Sequence, residues 1–249
     1  MMQNTDSTTA IRIAELRKSF GSQTVLNRVN LQVAPGETLV VLGRSGTGKS
    51  VLLRLLIGLL RPDSGSIRVL GQEITGLSED PLNEVRKKVG FVFQYAALYD
   101  SLTVAENVEF PLKYHTRMTA RQRRDRAIEI LSRVGMDNAA AKMPTEISGG
   151  MKKRVGLARA LALEPDIMLY DEPTAGLDPI TSGEIDELIL KLQKERKMSS
   201  IVVTHQLRSA GAIADRVALL NRGDVVFEGT FEELKKSDDE FVSRFVQKK

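Results

Sequence analysis

The chain has 249 residues, of which 42% are hydrophobic and 27% charged, an ordinary composition for a globular protein with a full core. It has no cysteine, which excludes disulfides and thiolate metal sites, and its two histidines make a histidine-based zinc site improbable. The net charge of +4 comes largely from the run RQRRDR (121–126) and the final QKK. Because such a run usually forms a solvated helix face, we expect no nucleic-acid partner.

No segment predicts a membrane span or a leader. The longest apolar run, VLLRLLIGLL (51–60), contains Arg54 and is too short to cross a bilayer. The first ten residues lack the basic region and apolar stretch of a signal peptide. We therefore expect a cytoplasmic protein.

The N-terminal third predicts strands. The first forty residues alternate apolar and polar side chains, with breaks at Gly21 and at APGE, and this favours antiparallel strands. Further short strands are predicted at 68–71 and 89–94. Between about Tyr95 and Leu163 the pattern becomes helical, with Ile128, Leu131 and Val134 predicted along one buried face.

The C-terminal third alternates strands and helices. IMLYDEP (167–173) and SSIVVTH (199–205) predict buried strands, and the helix between them has an Asp178-Pro179 start. Its predicted buried face is Ile185, Leu188, Ile189 and Leu192. A hairpin with its turn at 222–224 and a capping box from Thr230 to Glu233 follow. This alternation predicts a parallel sheet with helices on both faces.

A phosphate-binding loop is predicted between the strand ETLVVL (37–42) and the helix that follows. Residues Gly43 to Ser50 read G-x-x-x-x-G-K-S, the pattern in which glycines let backbone N–H groups surround a polyphosphate at a helix start. Lys49 would reach the β- and γ-phosphates, and the Ser50 hydroxyl would hold Mg²⁺. The alternative is a glycine-rich turn between a strand and a core helix.

Two adjacent carboxylates end the strand IMLYDE. Asp171 would bind Mg²⁺ through water, and Glu172 would act as the general base that activates water. The alternative is two charges that merely begin a loop.

The segments ISGGMKKR (147–154) and DEPTAGLDP (171–179) resemble the corresponding motifs of ABC transporter ATPases, and the resemblance covers nearly the whole chain. It implies one α/β P-loop NTPase domain with a mostly parallel core sheet, an N-terminal antiparallel β subdomain and a helical insertion. The implied boundaries are about 1–94 and 164–249 for the core with the β subdomain, and about 95–163 for the helical subdomain.

The resemblance also implies roles for single residues. Phe20 would stack on adenine, Gln94 would sense the metal, and His205 would be the switch histidine, although Phe20 could be core and His205 a strand-end cap. Ser148 and the following glycines would contact the γ-phosphate held by a second copy. The implied nucleotide contacts are Phe20, Gly43, Arg44, Ser45, Gly46, Thr47, Gly48, Lys49, Ser50, Val51, Gln94, Ser148, Gly149 and Gly150. The implied catalytic residues are Lys49, Glu172 and His205, and the implied metal ligands are Ser50, Gln94 and Asp171.

A narrower resemblance, to the ATPases of Mla-type or Mce-associated lipid transporters, rests on FQYAALYDSLTVAENVEFPL (93–112) and on SGGM with Met151. It implies ATP and Mg²⁺ as cofactors, and as partners a second copy, an integral membrane permease and an Mce-type lipid-binding protein. It also implies a position on the cytoplasmic face of the inner membrane. The apolar stretch 95–99 is expected to be exposed and to receive a short permease helix, with Leu98 or Tyr99 replaceable by Asp without loss of folding. The alternative is that the tyrosines pack inward and belong to the core. The alternatives are a transport ATPase for amino acids, ions or peptides, and a soluble ABC ATPase that acts on nucleic acid or ribosomes.

Overall fold

The computed structural model describes residues 9–247. The strands are β1 (Ile11–Phe20), β2 (Gln23–Val33), β3 (Thr38–Leu42), β4 (Ser64–Val69), β5 (Gln72–Glu73), β6 (Val89–Val92), β7 (Ile167–Asp171), β8 (Ser199–Thr204), β9 (Arg216–Asn221) and β10 (Asp224–Gly229). The helices are α1 (Lys49–Leu56), α2 (Glu79–Arg86), α3 (Val104–His115), α4 (Ala120–Arg133), α5 (Gly149–Leu161), α6 (Pro179–Arg196), α7 (Leu207–Ile213), α8 (Phe231–Lys235) and α9 (Glu240–Gln247).

The strands within residues 9–247 form two sheets. The first is antiparallel, in the order β2-β1-β4-β5, and the second has six strands in the order β10-β9-β3-β8-β7-β6. In the second sheet all pairs are parallel except the β9–β10 hairpin. The predicted combination of an antiparallel N-terminal sheet with a mostly parallel core sheet is confirmed.

The core sheet is buried on both faces, and strand β3 shows this directly. Leu39 and Val41 belong to the apolar cluster shared with α1 and the antiparallel sheet, whereas Val40 and Leu42 belong to the cluster shared with the helices of the other face. Because alternate side chains of a strand point to opposite faces, an unbroken apolar run is what a doubly covered strand requires. The loops at the carboxyl ends of β3, β7 and β8 therefore meet at one edge, where ligands bind in such sheets.

The helices α3, α4 and α5 lie between β6 and β7 in the chain, as predicted for the helical insertion, but the predicted face of α4 is wrong by one residue. Ala127, Ile130, Leu131 and Val134 are buried, whereas Ile128 is 36% exposed. Successive helix positions are rotated by about 100°, so a stripe that begins at Ala127 leaves Ile128 outside it.

Several element ends also differ from the prediction. The helix α2 was missed because its sequence EDPLNEVR is mostly polar and buries only Leu82 and Val85. The strand predicted at 68–71 runs from 64 to 69. The predicted buried face of α6, its Asp178 cap, the 222–224 turn and the Thr230 capping box are confirmed.

No helix within residues 9–247 has the length and apolar character needed to cross a bilayer.

Candidate active site

The loop between β3 and α1 has a backbone that only glycine accommodates at several positions. Gly46 and Gly48 have φ values of +81° and +100°, in the left-handed region. A Cβ at Gly48 would lie 2.9 Å from the Val25 carbonyl oxygen, and one at Gly43 would lie 2.6 Å from the Thr47 Oγ1. The loop is therefore specified by its glycines, and it delivers the chain into the N-terminus of α1, where free N–H groups favour an anion.

Lys49, the first residue of α1, points back into this loop. Its Nζ donates to the carbonyl oxygens of Gly43 (2.8 Å) and Arg44 (3.0 Å), and it lies 3.4 Å from Glu172 Oε1. Burial lowers the pKa of Lys49, and the carboxylates of Glu172 and Asp171 oppose that shift. The cation is thus held by groups that a bound phosphate could replace.

Ser50 and Asp171 meet at the start of α1 and the end of β7. The Ser50 hydroxyl donates to Asp171 Oδ1 at 2.8 Å. Burial raises the pKa of the Asp171 carboxyl, and the Ser50 hydrogen bond opposes the rise. In residues 9–247 there is no group of three or more His, Cys, Asp or Glu side chains that would hold a metal by itself. A hydroxyl beside one carboxylate nevertheless fits Mg²⁺, which takes few protein oxygens and completes its coordination with water and substrate phosphates.

Glu172 is buried, and both of its carboxylate oxygens have partners. Its Oε2 lies 2.9 Å from His205 Nδ1 and accepts from the Thr204 hydroxyl at 3.2 Å, while its Oε1 faces Lys49. The backbone N–H of Glu172 donates to Val203 at 2.9 Å. The end of β8 therefore holds Glu172 in the cleft, unlike a charge that merely begins a loop.

A cleft of about 370 Å³ brings the predicted residues from five segments together. It is lined by Phe20, Val25, Ser45, Gly46, Gly48, Lys49, Ser50, Val51, Gln94, Glu172 and His205. The side chain of Phe20 is 47% exposed with Lys18 Nζ 5.4 Å from its ring centroid, so the alternative that Phe20 is a core residue is wrong. Arg44 and Thr47 line a neighbouring cleft on the other side of the loop instead.

Ser148, Gly149 and Gly150 do not line this cleft. Ser148 caps α5, and its Oγ accepts from the Met151 N–H at 3.3 Å. A Cβ at Gly150 would lie 2.6 Å from Thr181 Cγ2 on α6, whereas one at Gly149 would meet only Leu177 Cδ2 at 3.7 Å. Gly150 is therefore required for the close approach of α5 to α6.

Lys153, like Val25 and Thr204, lies near the site but was not predicted from the sequence. Lys153 of α5 is buried, and its Nζ donates to the backbone carbonyl oxygens of Gln94 and Glu172, the latter at 3.3 Å. Lys153 is buried on the inward side of α5 and Lys152 is only half-buried, and the sequence holds no signal that distinguishes the two lysines.

The stretch 95–99 is only partly exposed. Tyr95 is 85% and Tyr99 45% exposed, but Ala96 is buried and Leu98 is half-buried against the core. Leu98→Asp would therefore disturb packing as well as docking, and the expectation that it leaves folding intact stays a prediction.

Comparison with known proteins agrees with this geometry. Residues 26–175 match the family model described as "ABC transporter". The chain belongs to the ABC transporter family. Among its relatives this ABC ATPase is 43% identical, over 95% of its own length and 68% of the relative's, to the probable ribonucleotide transport ATP-binding protein Mkl of Mycobacterium leprae. It is 40% identical, over 95% of its length and 90% of the relative's, to the intermembrane phospholipid transport system ATP-binding protein MlaF of Haemophilus influenzae. It is 42% identical, over 88% of its length, to the methionine import ATP-binding protein MetN of Brucella abortus, of which it covers 59%.

A solved ATP-binding cassette has the same fold as this ABC ATPase. That protein is a dimer in a post-hydrolysis state bound to ADP and phosphate, and it aligns with a TM-score of 0.82, 35% identity, and coverage of 89% of this chain and 98% of the other. The predicted family, fold class and ATPase activity are thereby confirmed. The relatives' names differ in substrate, so the family alone does not assign one.

Proposed function

We propose that this ABC ATPase works as a pair of copies bound to a membrane permease and uses ATP hydrolysis to move phospholipid or a related lipid. The observation that carries the hydrolysis part is the cluster of Lys49, Ser50, Asp171, Glu172 and His205 around one cleft. The lipid part is supported by the coverage of MlaF, 90% of whose length aligns with this chain. Transport of a ribonucleotide or of methionine is the alternative, since Mkl and MetN are named for those substrates.

In the proposed mechanism the triphosphate lies along the loop from Gly43 to Gly48, with its adenine on Phe20. Lys49 exchanges its carbonyl partners for phosphate oxygens, which leaves Glu172 with His205 and Thr204. Ser50 and Asp171 would hold Mg²⁺, which neutralises phosphate charge as the bond to the leaving group breaks.

Glu172 then orients the attacking water and takes its proton on a carboxylate oxygen. His205 Nδ1, 2.9 Å from Oε2, holds that carboxylate in position. Gln94 lines the same cleft, where its side chain would reach the metal or its water.

The second copy would complete each site. The N-terminus of α5, with Ser148 as its cap, lies outside the cleft of its own chain, and we propose that it contacts the γ-phosphate held by the partner copy. The dimeric cassette with ADP and phosphate supports such a pairing. Because the γ-phosphate joins the two copies, its hydrolysis would release them and so produce motion.

The permease would bind in an aromatic groove beside β6. A cavity of about 440 Å³ there is lined by side chains that include Phe91, Phe93, Tyr99, Phe110 and Pro111. The rings of Tyr99 and Phe110 lie 4.5 Å apart. Exposed aromatic grooves of this kind commonly bind a partner helix. An ABC ATPase that binds its permease through this groove would act at the cytoplasmic face of the inner membrane. An Mce-type protein would be a further partner of the assembly.

The hydrolytic part is tested with Glu172→Gln. The change should preserve ATP binding and lower kcat by about 10²- to 10⁴-fold, because it removes the proton acceptor. Lys49→Ala is the contrasting variant and should weaken ATP affinity itself. A Glu172→Gln protein that keeps more than half the native rate would contradict the assignment.

The substrate is tested by isolating the chain from solubilised membranes with its bound permease and reconstituting that complex into lipid vesicles. We expect ATP turnover and lipid movement to depend on each other. Turnover stimulated by a ribonucleotide or by methionine, with no lipid moved, would assign the chain to the other transport class.

A further inference from the structure

Lys153 is a buried cation that joins three parts of the site. It is 7% exposed, and its ammonium group donates to the carbonyl oxygens of Gln94 and Glu172. Burial lowers the pKa of Lys153, and the carboxylates of Glu172 and Asp171 oppose the shift. A lysine is rarely placed so deep without a role for its charge, and here its hydrogen bonds reach two separate loops.

Helix α5 also contacts the segment that follows Gln94. Arg159 donates to the carbonyl oxygens of Ala97 at 2.6 Å and Ala96 at 2.7 Å. Both alanines have positive φ values, 59° at Ala96 and 48° at Ala97. Non-glycine residues adopt such values only when their surroundings hold them there. A Cβ at Gly156 would lie 3.1 Å from the Cβ of Ala96, so α5 and this segment are in close contact. Helix α5 and residues 94–97 are therefore packed as one unit.

The peptide of Glu172 is the other group that Lys153 holds. Glu172 has a φ of +47°, and its N–H is bound by the Val203 carbonyl on β8. Its carbonyl oxygen, on the opposite side, accepts from Lys153. The backbone of Glu172 is thus fixed between β8 and α5, and the direction of its side chain depends on both bonds.

We propose that Lys153 is a positioning residue that aligns Gln94 and the Glu172 peptide with α5, so that the rate of ATP hydrolysis depends on the position of that helix. The inference rests on the proposed role of Glu172 as the base. Within residues 9–247 the hydrogen bonds of Lys153 go to backbone oxygens of Gln94 and Glu172, so it acts through those two residues. Ser148 caps the N-terminus of α5. A displacement of this end of the helix would therefore be transmitted through Lys153 to the Glu172 carboxylate of the same chain.

The test compares Lys153→Met with Lys152→Met in the full chain. The methionine keeps most of the length of lysine and removes the donor, and Lys152 is the adjacent lysine that holds neither carbonyl. We expect Lys153→Met to lower kcat by at least about tenfold with KM for ATP changed less than about threefold, and Lys152→Met to stay near native. Lys153→Arg, which restores a donor, should recover most of the lost kcat. A native kcat for Lys153→Met, or a loss that Lys153→Arg does not recover, would overturn the proposal.

The Glu172→Gln background separates this inference from the proposed function. If Lys153 acts through Glu172, adding Lys153→Met to Glu172→Gln should lower the residual rate less than about twofold, because residues that act as a unit are not additive. A native rate for Glu172→Gln contradicts the base assignment. An inactive Glu172→Gln beside a fully active Lys153→Met contradicts only the positioning role.

Melting temperature and ATP affinity serve as controls for correct folding of the variants. If Lys153→Met melts too low for turnover to be measured, Lys153→Leu takes its place, because it also removes the donor and is a good helix former. A lowered kcat at native ATP affinity then supports the positioning role, and a native kcat overturns it.

Discussion

Asp186 shows how a single buried carboxyl affects the stability of this ABC ATPase. It lies on the buried side of α6, its Oδ1 has no hydrogen-bond partner, and its pKa is raised by burial, with a Ser209 hydrogen bond and the Arg208 charge opposing. A carboxyl whose pKa is higher in the folded than in the unfolded state contributes stability that is fully present below the unfolded pKa. That stability is lost as the pH rises through the folded pKa. As the pH rises above the unfolded pKa, the fold therefore loses stability at this position.

We expect Asp186→Asn to raise the melting temperature by a few degrees at about pH 8, and the gain to shrink as the pH falls towards about 4. The amide keeps a group that can bond Ser209 and carries no charge. Thermal unfolding over this pH range is the measurement, with exposed Glu187→Gln as the matched control. A gain that does not change with pH would show that packing, and not ionisation, causes it.

At the scale of elements, the contact between α5 and α6 explains why two adjacent glycines differ. Thr181 presents its methyl group to Gly150, while its hydroxyl donates to Asp178 Oδ2 at 2.6 Å and so stabilises the start of α6. A Cβ at Gly149 would make only an ordinary van der Waals contact. The two glycines share one motif but are under different steric constraints.

Gly150→Ala should lower the free energy of unfolding by about 1–3 kcal/mol, because the added methyl overpacks the contact. Gly149→Ala should be neutral or slightly stabilising, since alanine is the better helix former. Adding Thr181→Ser removes the opposing methyl and keeps the hydroxyl, so it should restore most of the stability of Gly150→Ala. Denaturant unfolding checks this, and failure of the serine to restore stability would place the strain elsewhere.

At the scale of the whole molecule, the proposed docking to a permease would depend on the aromatic groove. Tyr99→Asp should leave the melting temperature and ATP affinity near native, because Tyr99 is half-exposed. It should abolish co-purification with the permease, since burying an unpaired charge costs several kcal/mol and weakens binding by more than about a hundredfold. Tyr95→Asp is the control, because that side chain lies outside the groove lining. Retained co-purification of the Tyr99 variant would contradict docking at this groove.

Pairing of two copies should depend on an intact triphosphate. Glu172→Gln with ATP should sediment as a dimer, because the bridging γ-phosphate is not hydrolysed, while the same protein with ADP should remain largely monomeric. Sedimentation that is unchanged by ATP, even with the permease's docking segment supplied, would count against a site shared between copies.

The sequence by itself determined the features whose causes are local. Gly46 and Gly48 have backbone angles that only glycine adopts readily, and Gly43 is required by the close approach of Thr47. The caps at Asp178 and Thr230 follow from hydrogen bonds that span two or three residues. The adjacent carboxylates at 171 and 172 were recognisable because a buried strand ends there. The fold class followed from the same alternation of strands and helices.

Only the tertiary structure decided what depends on contacts between distant segments. Ala127 rather than Ile128 faces the core because α3 and α5 set the rotation of α4, and Leu98 packs inward although its neighbours Ala97 and Tyr99 are exposed. Lys152 and Lys153 are adjacent residues of the same type. Only the hydrogen bonds from Lys153 to Gln94 and Glu172 distinguish the two lysines. The burial of these side chains and their hydrogen bonds depend on segments that are distant in the sequence, so the local pattern did not assign them.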